Sequence, residues 1–242
     1  MEMTSVEISI ILKNPYEVYE ALLYNSHIKK WHKFISNHYL PPRKKKLLLF
    51  YPCSAKKPYF ESRSYRMLFK TLSKLGKRRS LVHVITISEP FALVPEEFYN
   101  SNSKWHNWEK EWYDCPGLFE WWCRKYHEPY SVEYVNKCID LLSDIVASFF
   151  KNLKAQPYYS RLNLIGFVRS MSSSLKVTQD HTHRLILERA AKRAGVNVKI
   201  FPTKRFVKHL VKKRGRLAWD FYGVAHPLSQ RYLLKILRRF LK

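Results

Sequence analysis

Short apolar segments alternate with longer amphipathic segments along most of this 242-residue chain. The apolar segments predict strands at 4–12, 47–51, 81–88, 161–168 and 196–201. The segment LLLFY at 47–51 has no polar position, as expected of a strand that is buried on both faces of a sheet. Because strands separated by helix-length segments are typical of an α/β fold, we predict a mainly parallel central sheet with helices on both faces.

The amphipathic segments predict the helices that connect these strands. They cover 14–37, 62–76, 131–153, 182–195 and 227–242. Asn14 and Pro15 suit the start of the first helix, and Ser62 or Ser64 suits the start of the second. The last segment predicts a basic amphipathic helix. We therefore expect residues 1–201 to form an α/β core domain and residues 202–242 to form a basic C-terminal extension packed on that core.

Ligands of open α/β sheets bind beyond the carboxyl ends of the strands. This rule selects three loops as candidate ligand-binding segments, namely 52–62, 88–97 and the residues just after Val168. The second of these loops is bounded by prolines, and no strand is predicted within 89–100.

Charge is the main compositional feature, with 44 Lys and Arg against 19 Asp and Glu and a net charge of +25. The net charge is +12 over 1–80, −6 over 81–150, +8 over 151–200 and +11 over 201–242. Two basic ends predict a surface that binds a polyanion. Nucleic acid is the leading candidate because basic side chains release counterions when they neutralise phosphates. A basic surface without a partner and an anionic membrane surface are the alternatives.

Other classes of protein fit the composition less well. The chain has no run of 18 apolar residues, and its first segment is acidic rather than basic. We therefore predict neither a membrane span nor a signal peptide, and we expect a cytoplasmic protein. The four cysteines form no CxxC pair and no His-rich spacing, so we predict no metal site. No cofactor is indicated.

Cys53 is the strongest candidate for chemistry. It follows the predicted buried strand, lies close to Lys56 and Lys57, and precedes a predicted helix start. Positive charge and helix N-termini favour the thiolate form, which makes Cys53 a candidate nucleophile. A buried thiol at the end of a core strand is the alternative. The helix start at Ser62 and Ser64 suits an anionic group, although plain capping is equally compatible with these serines.

Histidines are weaker candidates. His181 and His183 follow the strand predicted at 161–168 and could approach the same sheet edge. Capping of the next helix by Asp180 or Thr182 is the simpler interpretation of this segment.

The stretch PCSAKKPYFES at 52–62 resembles the lysine-binding signature of archaeosine synthase, PC-x3-KPY-x2-S-x2-H. Every position matches except the last, where Tyr65 stands in place of His. The segments TISEPFALVPEEF at 86–98 and WYDCPG at 112–117 are similar to further parts of the core domain of that family. All three occur in the family's order. The resemblance covers roughly 45–200 and does not include the transglycosylase-like region or the PUA domain of full-length members.

The resemblance implies tRNA modification in an archaeal protein. Members of the family attach L-lysine, through its side-chain amine, to the nitrile carbon of 7-cyano-7-deazaguanine in the tRNA D-loop. A radical-SAM partner then cleaves the adduct. The implied substrates are tRNA and L-lysine or a similar amine, and the implied partners are a radical-SAM enzyme or a separate PUA or transglycosylase-like subunit. A non-catalytic tRNA-binding protein of the same fold is the alternative.

The resemblance implies which residues bind the substrate, and the chemistry of other side chains adds candidates for the reaction. The implied substrate-binding residues are Pro52, Lys57, Pro58, Tyr59, Ser62 and Tyr65. Cys53 could add to the nitrile and give a thioimidate that the amine displaces, although direct attack by the amine requires no covalent step. Asp114 suits an ammonium group or could accept a proton, and Glu96 and Glu97 are weaker candidates for the same part.

Overall fold

The computed structural model describes residues 10–54, 58–99, 113–169, 182–203, 205–206, 212 and 224–242. The strands are β1 (Ile10–Ile11), β2 (Leu47–Pro52), β3 (Val82–Ser88), β4 (Ala92–Pro95), β5 (Tyr113–Asp114), β6 (Asn163–Phe167) and β7 (Lys199–Phe201). The helices are α1 (Pro15–Tyr24), α2 (Ser26–Asn37), α3 (Arg63–Ser73), α4 (Glu120–Lys125), α5 (Val132–Lys154), α6 (Thr182–Ala194) and α7 (Pro227–Phe240). None of the helices in these ranges is both long enough and apolar enough to cross a bilayer.

A five-stranded sheet in the order β4-β3-β2-β6-β7 forms the centre of the molecule. Strands β2, β3, β6 and β7 are parallel, and β4 pairs antiparallel with β3 at one edge. All residues of β2 and β3 are buried, in agreement with the unbroken apolar sequence of 47–51. Strands β1 and β5 form a separate parallel pair. The predicted α/β class with a mainly parallel central sheet is confirmed.

Helices cover both faces of this sheet. Successive residues of a strand point to opposite faces. The ring of Phe50 lies 5.4 Å from that of Phe150 in α5, whereas the ring of Tyr51 lies 5.5 Å from that of Tyr65 in α3. The hydroxyl of Tyr51 also accepts a hydrogen bond from Gln230 of α7. Helix α5 therefore packs on one face, and α3 and α7 pack on the other.

Two predicted elements differ from the structure. The single helix expected over 14–37 is two helices, because Asn25 adopts an extended backbone and its side chain accepts a hydrogen bond from the N–H of Ile28 in α2. The segment 89–100, expected to lack a strand, contains β4. Its Pro95 is tolerated because β4 is an edge strand. Most of the first predicted strand, 4–12, lies outside the described residues.

Candidate active site

Three polar side chains from distant parts of the chain meet at the carboxyl edge of the sheet. Cys53 follows β2, Glu89 follows β3, and His183 is the second residue of α6, the helix after β6. The backbone N–H of Cys53 donates to the carbonyl of Ile87 at 2.9 Å. Because this hydrogen bond continues the pairing of β2 with β3 beyond the end of β2, it fixes the backbone that carries the thiol.

The three polar groups lie within hydrogen-bonding distance of one another. Nε2 of His183 is 3.0 Å from Oε2 of Glu89 and 3.4 Å from Sγ of Cys53, and Sγ is 3.6 Å from the same carboxylate oxygen. Thr182 donates its hydroxyl hydrogen to the other oxygen of Glu89 at 3.0 Å. Cys53, Glu89 and His183 are hereafter the Cys–Glu–His cluster.

Burial and charge give the three members different roles. Glu89 and His183 are each only 2% exposed, whereas Cys53 is partly exposed. Burial by itself lowers the pKa of His183, but Glu89 and, after it, Cys53 outweigh burial and raise this pKa to about 10. His183 is therefore an imidazolium at neutral pH. An adjacent imidazolium stabilises a thiolate, which is the nucleophilic form of cysteine. The partly exposed Cys53 is thus suited to attack an electrophile, and the buried Glu89 and His183 are suited to support it.

The tyrosines of the predicted lysine-binding signature lie buried next to this cluster. The rings of Tyr59 and Tyr65 stack with 5.0 Å between their centroids. Tyr59 donates its hydroxyl hydrogen to Oγ of Ser88 at 2.9 Å, and Tyr65 donates to the carbonyl of Pro52 at 3.1 Å. Burial raises the pKa of both tyrosines well above the usual value, so both hydroxyls stay neutral. They connect α3 and the turn before it to the ends of β2 and β3.

The other residues of the signature surround the start of α3. Oγ of Ser62 accepts a hydrogen bond from the N–H of Tyr65 at 3.2 Å, so Ser62 is the N-cap of α3. Pro58 is half-buried and precedes the short 3₁₀ turn Tyr59–Glu61. Lys57 lies outside the described residues. Substrate binding by the signature residues stays a prediction.

Asp114 lies in β5, outside the five-stranded sheet. Its Oδ1 accepts a hydrogen bond from the N–H of Cys115 at 3.0 Å, and its carbonyl accepts one from the N–H of Leu12 at 2.9 Å. The side chain is half-buried. A role for Asp114 in binding an ammonium group or accepting a proton stays a prediction.

Glu96 and Glu97, the weaker candidates, lie beside the opposite end of β3. Both are within 3.3 Å of a ring nitrogen of His83, which is the second residue of that strand. Together with His83 they line a separate cavity of about 470 Å³. Glu96 also pairs with Arg79 at 2.5 Å.

The sequence does not identify Glu89 as a candidate site residue, and it makes His183 only a weak candidate. The position of Glu89 offers a signal, since it is the first residue after a buried strand and lies in one of the three predicted ligand loops. His183 is 130 residues from Cys53, so no sequence spacing relates the two. Of the residues just after Val168, 170–181 lie outside the described residues, and α6, which begins at Thr182, supplies Thr182 and His183.

The cluster also contains side chains of the types that coordinate transition metals. One donor atom from each of the three residues lies within 4.8 Å of the others, and Zn²⁺ binds thiolate, imidazole and carboxylate. A metal would need the unprotonated Nε2 of His183 and would have to displace the proton that Glu89 stabilises there.

Comparisons with known proteins give partial matches. A family described as a domain of unknown function (DUF5591) matches residues 28–140. Archaeosine synthase subunit alpha of Thermococcus kodakarensis is 37% identical over 84 residues, which are 34% of this chain and 15% of that protein. The subunit alpha of Thermoplasma acidophilum is 29% identical over 100 residues, or 41% and 18% of the two chains. That of Methanosarcina acetivorans is 43% identical over 63 residues, or 26% and 9%.

The comparison with solved structures gives a weaker match. The crystal structure of AF0587, a protein of unknown function, aligns with 89% of this chain and 54% of its own at 16% identity and a TM-score of 0.44.

These matches confirm, over part of the chain, the resemblance to archaeosine synthase that the signature at 52–62 predicts. The matched segments span less than a fifth of each curated relative. The family match at 28–140 includes Cys53 and Glu89 but not His183.

Proposed function

We propose that this chain is an archaeosine-synthase-like transferase. It adds the side-chain amine of L-lysine, or a similar amine, to the nitrile carbon of 7-cyano-7-deazaguanine in tRNA. The main support is the Cys–Glu–His cluster, in which a partly exposed thiol faces a buried imidazolium at a ligand-binding edge. Relatives named archaeosine synthase subunit alpha support a role connected with archaeosine synthesis in tRNA. We expect the reaction to take place in the cytoplasm.

The first step joins Sγ of Cys53 to the nitrile carbon. The thiolate supplies the electron pair of the new C–S bond, and one π pair of the nitrile moves to its nitrogen. The imidazolium of His183 gives this nitrogen a proton, which produces a neutral thioimidate and a neutral imidazole. The 3.4 Å distance between Nε2 and Sγ supports this transfer, because the nitrogen of a bound nitrile would lie near the same proton.

The second step transfers the carbon from sulfur to the amine. The neutral side-chain amine of lysine attacks the thioimidate carbon and passes a proton to His183. The C–S bond breaks, and its electron pair returns to Cys53 as the thiolate. The product is an amidine that contains all atoms of the nitrile and the amine, so the overall reaction needs no oxidant and gives no by-product, because the only leaving group is the regenerated thiolate of Cys53. Both members of the thiolate–imidazolium pair are restored.

Other predicted residues serve the second substrate. Lys57 and the start of α3 at Ser62 suit the carboxylate of lysine, and Asp114 suits its α-ammonium group. The roles of Tyr59 and Tyr65 are indirect, because both are buried and hold the strand ends that border the cluster. A radical-SAM partner would convert the lysine adduct, as the resemblance implies.

A non-catalytic tRNA-binding protein of the same fold is the second candidate. Tyr65 occupies the position of the family's histidine and is fully buried. This burial favours the second candidate, because substrates cannot reach the side chain at a position where the family has a histidine.

Nucleoside mass spectrometry distinguishes the two candidates. The protein is incubated with isotopically labelled L-lysine and tRNA that carries 7-cyano-7-deazaguanine, and a tRNA with guanine at the same position is the matched control. Transfer predicts a labelled nucleoside, from the nitrile tRNA alone, whose mass is the sum of the nitrile nucleoside and lysine. Folded protein that binds the nitrile tRNA and forms no adduct would reject the transferase and support the binding protein.

A further inference from the structure

Two helices on the same face of the sheet carry rows of exposed basic side chains. The residues are spaced three or four positions apart, which places each row along one side of its helix. They are Arg63, Arg66, Lys70 and Lys74 of α3 and its C-cap, and Arg231, Lys235 and Arg238 of α7. These seven side chains are hereafter the basic face. Neither helix contains an acidic residue.

The two rows flank a groove between α3 and α7. This groove has a volume of about 180 Å³, and its lining includes Lys70 and Lys74 from one helix and Arg231 from the other. Arg238 donates a hydrogen bond to the carbonyl of Lys74 at 3.4 Å, which joins the C-terminal ends of the two helices. Positive charge from two elements is therefore concentrated along one groove.

The basic face is not neutralised by carboxylates of the described residues. None of its seven side chains forms an ion pair with a carboxylate in the part of the chain that the structure describes. On the opposite face, Arg189 pairs with Asp140 at 2.9 Å, and Arg193 pairs with both Asp140 and Asp144. Unpaired charges of one sign add up to a strong local potential, so the basic face is suited to attract anions, whereas the charges of Arg189 and Arg193 are offset by their aspartate partners.

Both helices of the basic face begin near the edge that carries Cys53. Tyr65, in the first turn of α3, donates to the carbonyl of Pro52, the residue before Cys53. Gln230, in the first turn of α7, donates to the hydroxyl of Tyr51 near the end of β2. The basic face therefore starts beside the Cys–Glu–His cluster and extends away from it.

We propose that the basic face binds the phosphodiester backbone of the tRNA and directs the modified base towards Cys53. The choice of tRNA rests on the proposed function. Exposed Lys and Arg gain affinity for RNA by releasing its counterions, and the 11 residues of α3 extend over about 16 Å, enough to contact several phosphates. RNA fits better than an anionic membrane, because Leu228 is the one large apolar side chain that α3 and α7, both fully described, leave exposed.

The test compares two triple charge reversals in the full chain. K70E/K74E/R231E reverses three charges around the groove. The control, K29E/K30E/K33E, makes the same change in net charge at exposed lysines of α2, which packs against α5 on the opposite face. Fluorescence anisotropy gives the Kd for an unmodified tRNA transcript over a range of salt concentrations. We expect the groove variant to raise Kd about tenfold or more and to reduce the slope of log Kd against log salt by about two, with less than about a threefold change in the control.

Each other outcome has a defined meaning. Equal weakening by both triple variants would show that net charge alone matters and would overturn the basic face, as would an unchanged Kd. Circular dichroism checks folding, and K70Q/K74Q/R231Q replaces the reversal if the latter unfolds. Loss of binding to phosphatidylserine vesicles with unchanged tRNA affinity would assign this face to membranes and overturn the RNA proposal. Because the assay involves no chemistry, a missing lysine adduct would reject the transferase without affecting this result.

Discussion

His183 connects a buried carboxylate to a partly exposed thiol. Glu89 is the largest of the influences that raise the pKa of His183 against the effect of burial. Without this carboxylate, burial would favour the neutral imidazole, which neither stabilises a thiolate nor supplies a proton to a nitrile nitrogen. Glu89 therefore controls the protonation of the residue that supports Cys53.

The charge of His183 also makes stability depend on pH. Its pKa is about 10 in the folded protein and near 6.5 when unfolded. Because the pKa is higher in the folded protein, the stabilisation that the charged imidazole of His183 contributes is complete below about pH 6.5 and is lost as the pH rises through 10. Over this window, we expect the unfolding free energy of the wild type to fall relative to that of His183→Gln, by up to about 1.4 kcal/mol per pH unit. Urea denaturation at several pH values measures this difference, and parallel curves would contradict it.

The same substitution tests the chemical role of His183. We expect His183→Gln to lower the rate of lysine-adduct formation about 100-fold or more, because glutamine neither donates nor accepts a proton during the reaction. Its Kd for tRNA should not change, since the side chain of His183 is buried and is not one of the seven exposed residues of the basic face. His38→Gln, at an exposed histidine, is the control and should leave the rate unchanged. A His183→Gln protein of normal rate would remove His183 from the mechanism.

Tyr65 has a structural role that can be separated from catalysis. Its hydroxyl bonds to the carbonyl of Pro52 and to Oγ1 of Thr86, and all three groups are buried. We expect Tyr65→Phe to lower the free energy of unfolding by about 1–3 kcal/mol, because it removes the donor to the buried carbonyl of Pro52 and a hydrogen-bond partner of the buried Thr86 hydroxyl. Tyr24→Phe, at a side chain 71% exposed, should change it by less than about 0.5 kcal/mol. Chemical denaturation that gives equal values for the two variants would show that the Tyr65 hydroxyl is not needed for stability.

Local features make Cys53 predictable and leave its two neighbours hidden. Cys53 directly follows an apolar run and lies close to two lysines, so the features that make it a candidate nucleophile all lie within ten residues of it. Glu89 occupies a similar position after β3, but a single acidic residue after a strand has no chemical partner nearby in the sequence. His183 reaches Cys53 only because the parallel pairing of β2 with β6 brings the start of α6 to the same edge.

At the scale of elements, capping residues determine which helices the sequence can predict. Ser62 and Ser131 cap α3 and α5, and Gly195 ends α6 at a φ of +61°, in agreement with the helix ranges predicted at 62–76, 131–153 and 182–195. The break between α1 and α2 is hidden because both helices pack against α5. Their apolar residues therefore continue one helical pattern across Asn25.

Asn25 is expected to stabilise the corner between α1 and α2. Its Oδ1 accepts from the N–H of Ile28 at 3.0 Å, and its Nδ2 donates to the hydroxyl of Tyr113 at 3.3 Å. Asn25→Ala should therefore lower the free energy of unfolding by about 1–2 kcal/mol. Ser26→Ala, at the exposed neighbouring position, is the matched control and should cost less than about 0.5 kcal/mol. Urea titration of both variants measures the difference, and equal costs would exclude a specific capping role.

At the scale of the whole molecule, the faces of the sheet differ in how their basic residues are used. Arginines of α6 pair with aspartates of α5, whereas the basic face of α3 and α7 remains unpaired among the described residues. Composition predicts a polyanion surface, but it cannot locate that surface, because pairing depends on which helices become neighbours. We further propose that 202–242 acts as an extension of the 1–201 core, since Gln230 of α7 bonds to Tyr51 of the central sheet.

The central claim is that Cys53 activates a nitrile for attack by an amine. Mass spectrometry of the protein mixed with 7-cyano-7-deazaguanine tRNA, first without and then with L-lysine, tests it most directly. Without amine, we predict a thioimidate on the Cys53 peptide of the wild type and none in Cys53→Ala. Addition of lysine should discharge this species as the lysine adduct appears in the tRNA. Adduct formation by Cys53→Ala at the wild-type rate, or bound tRNA with no adduct at all, would contradict the claim.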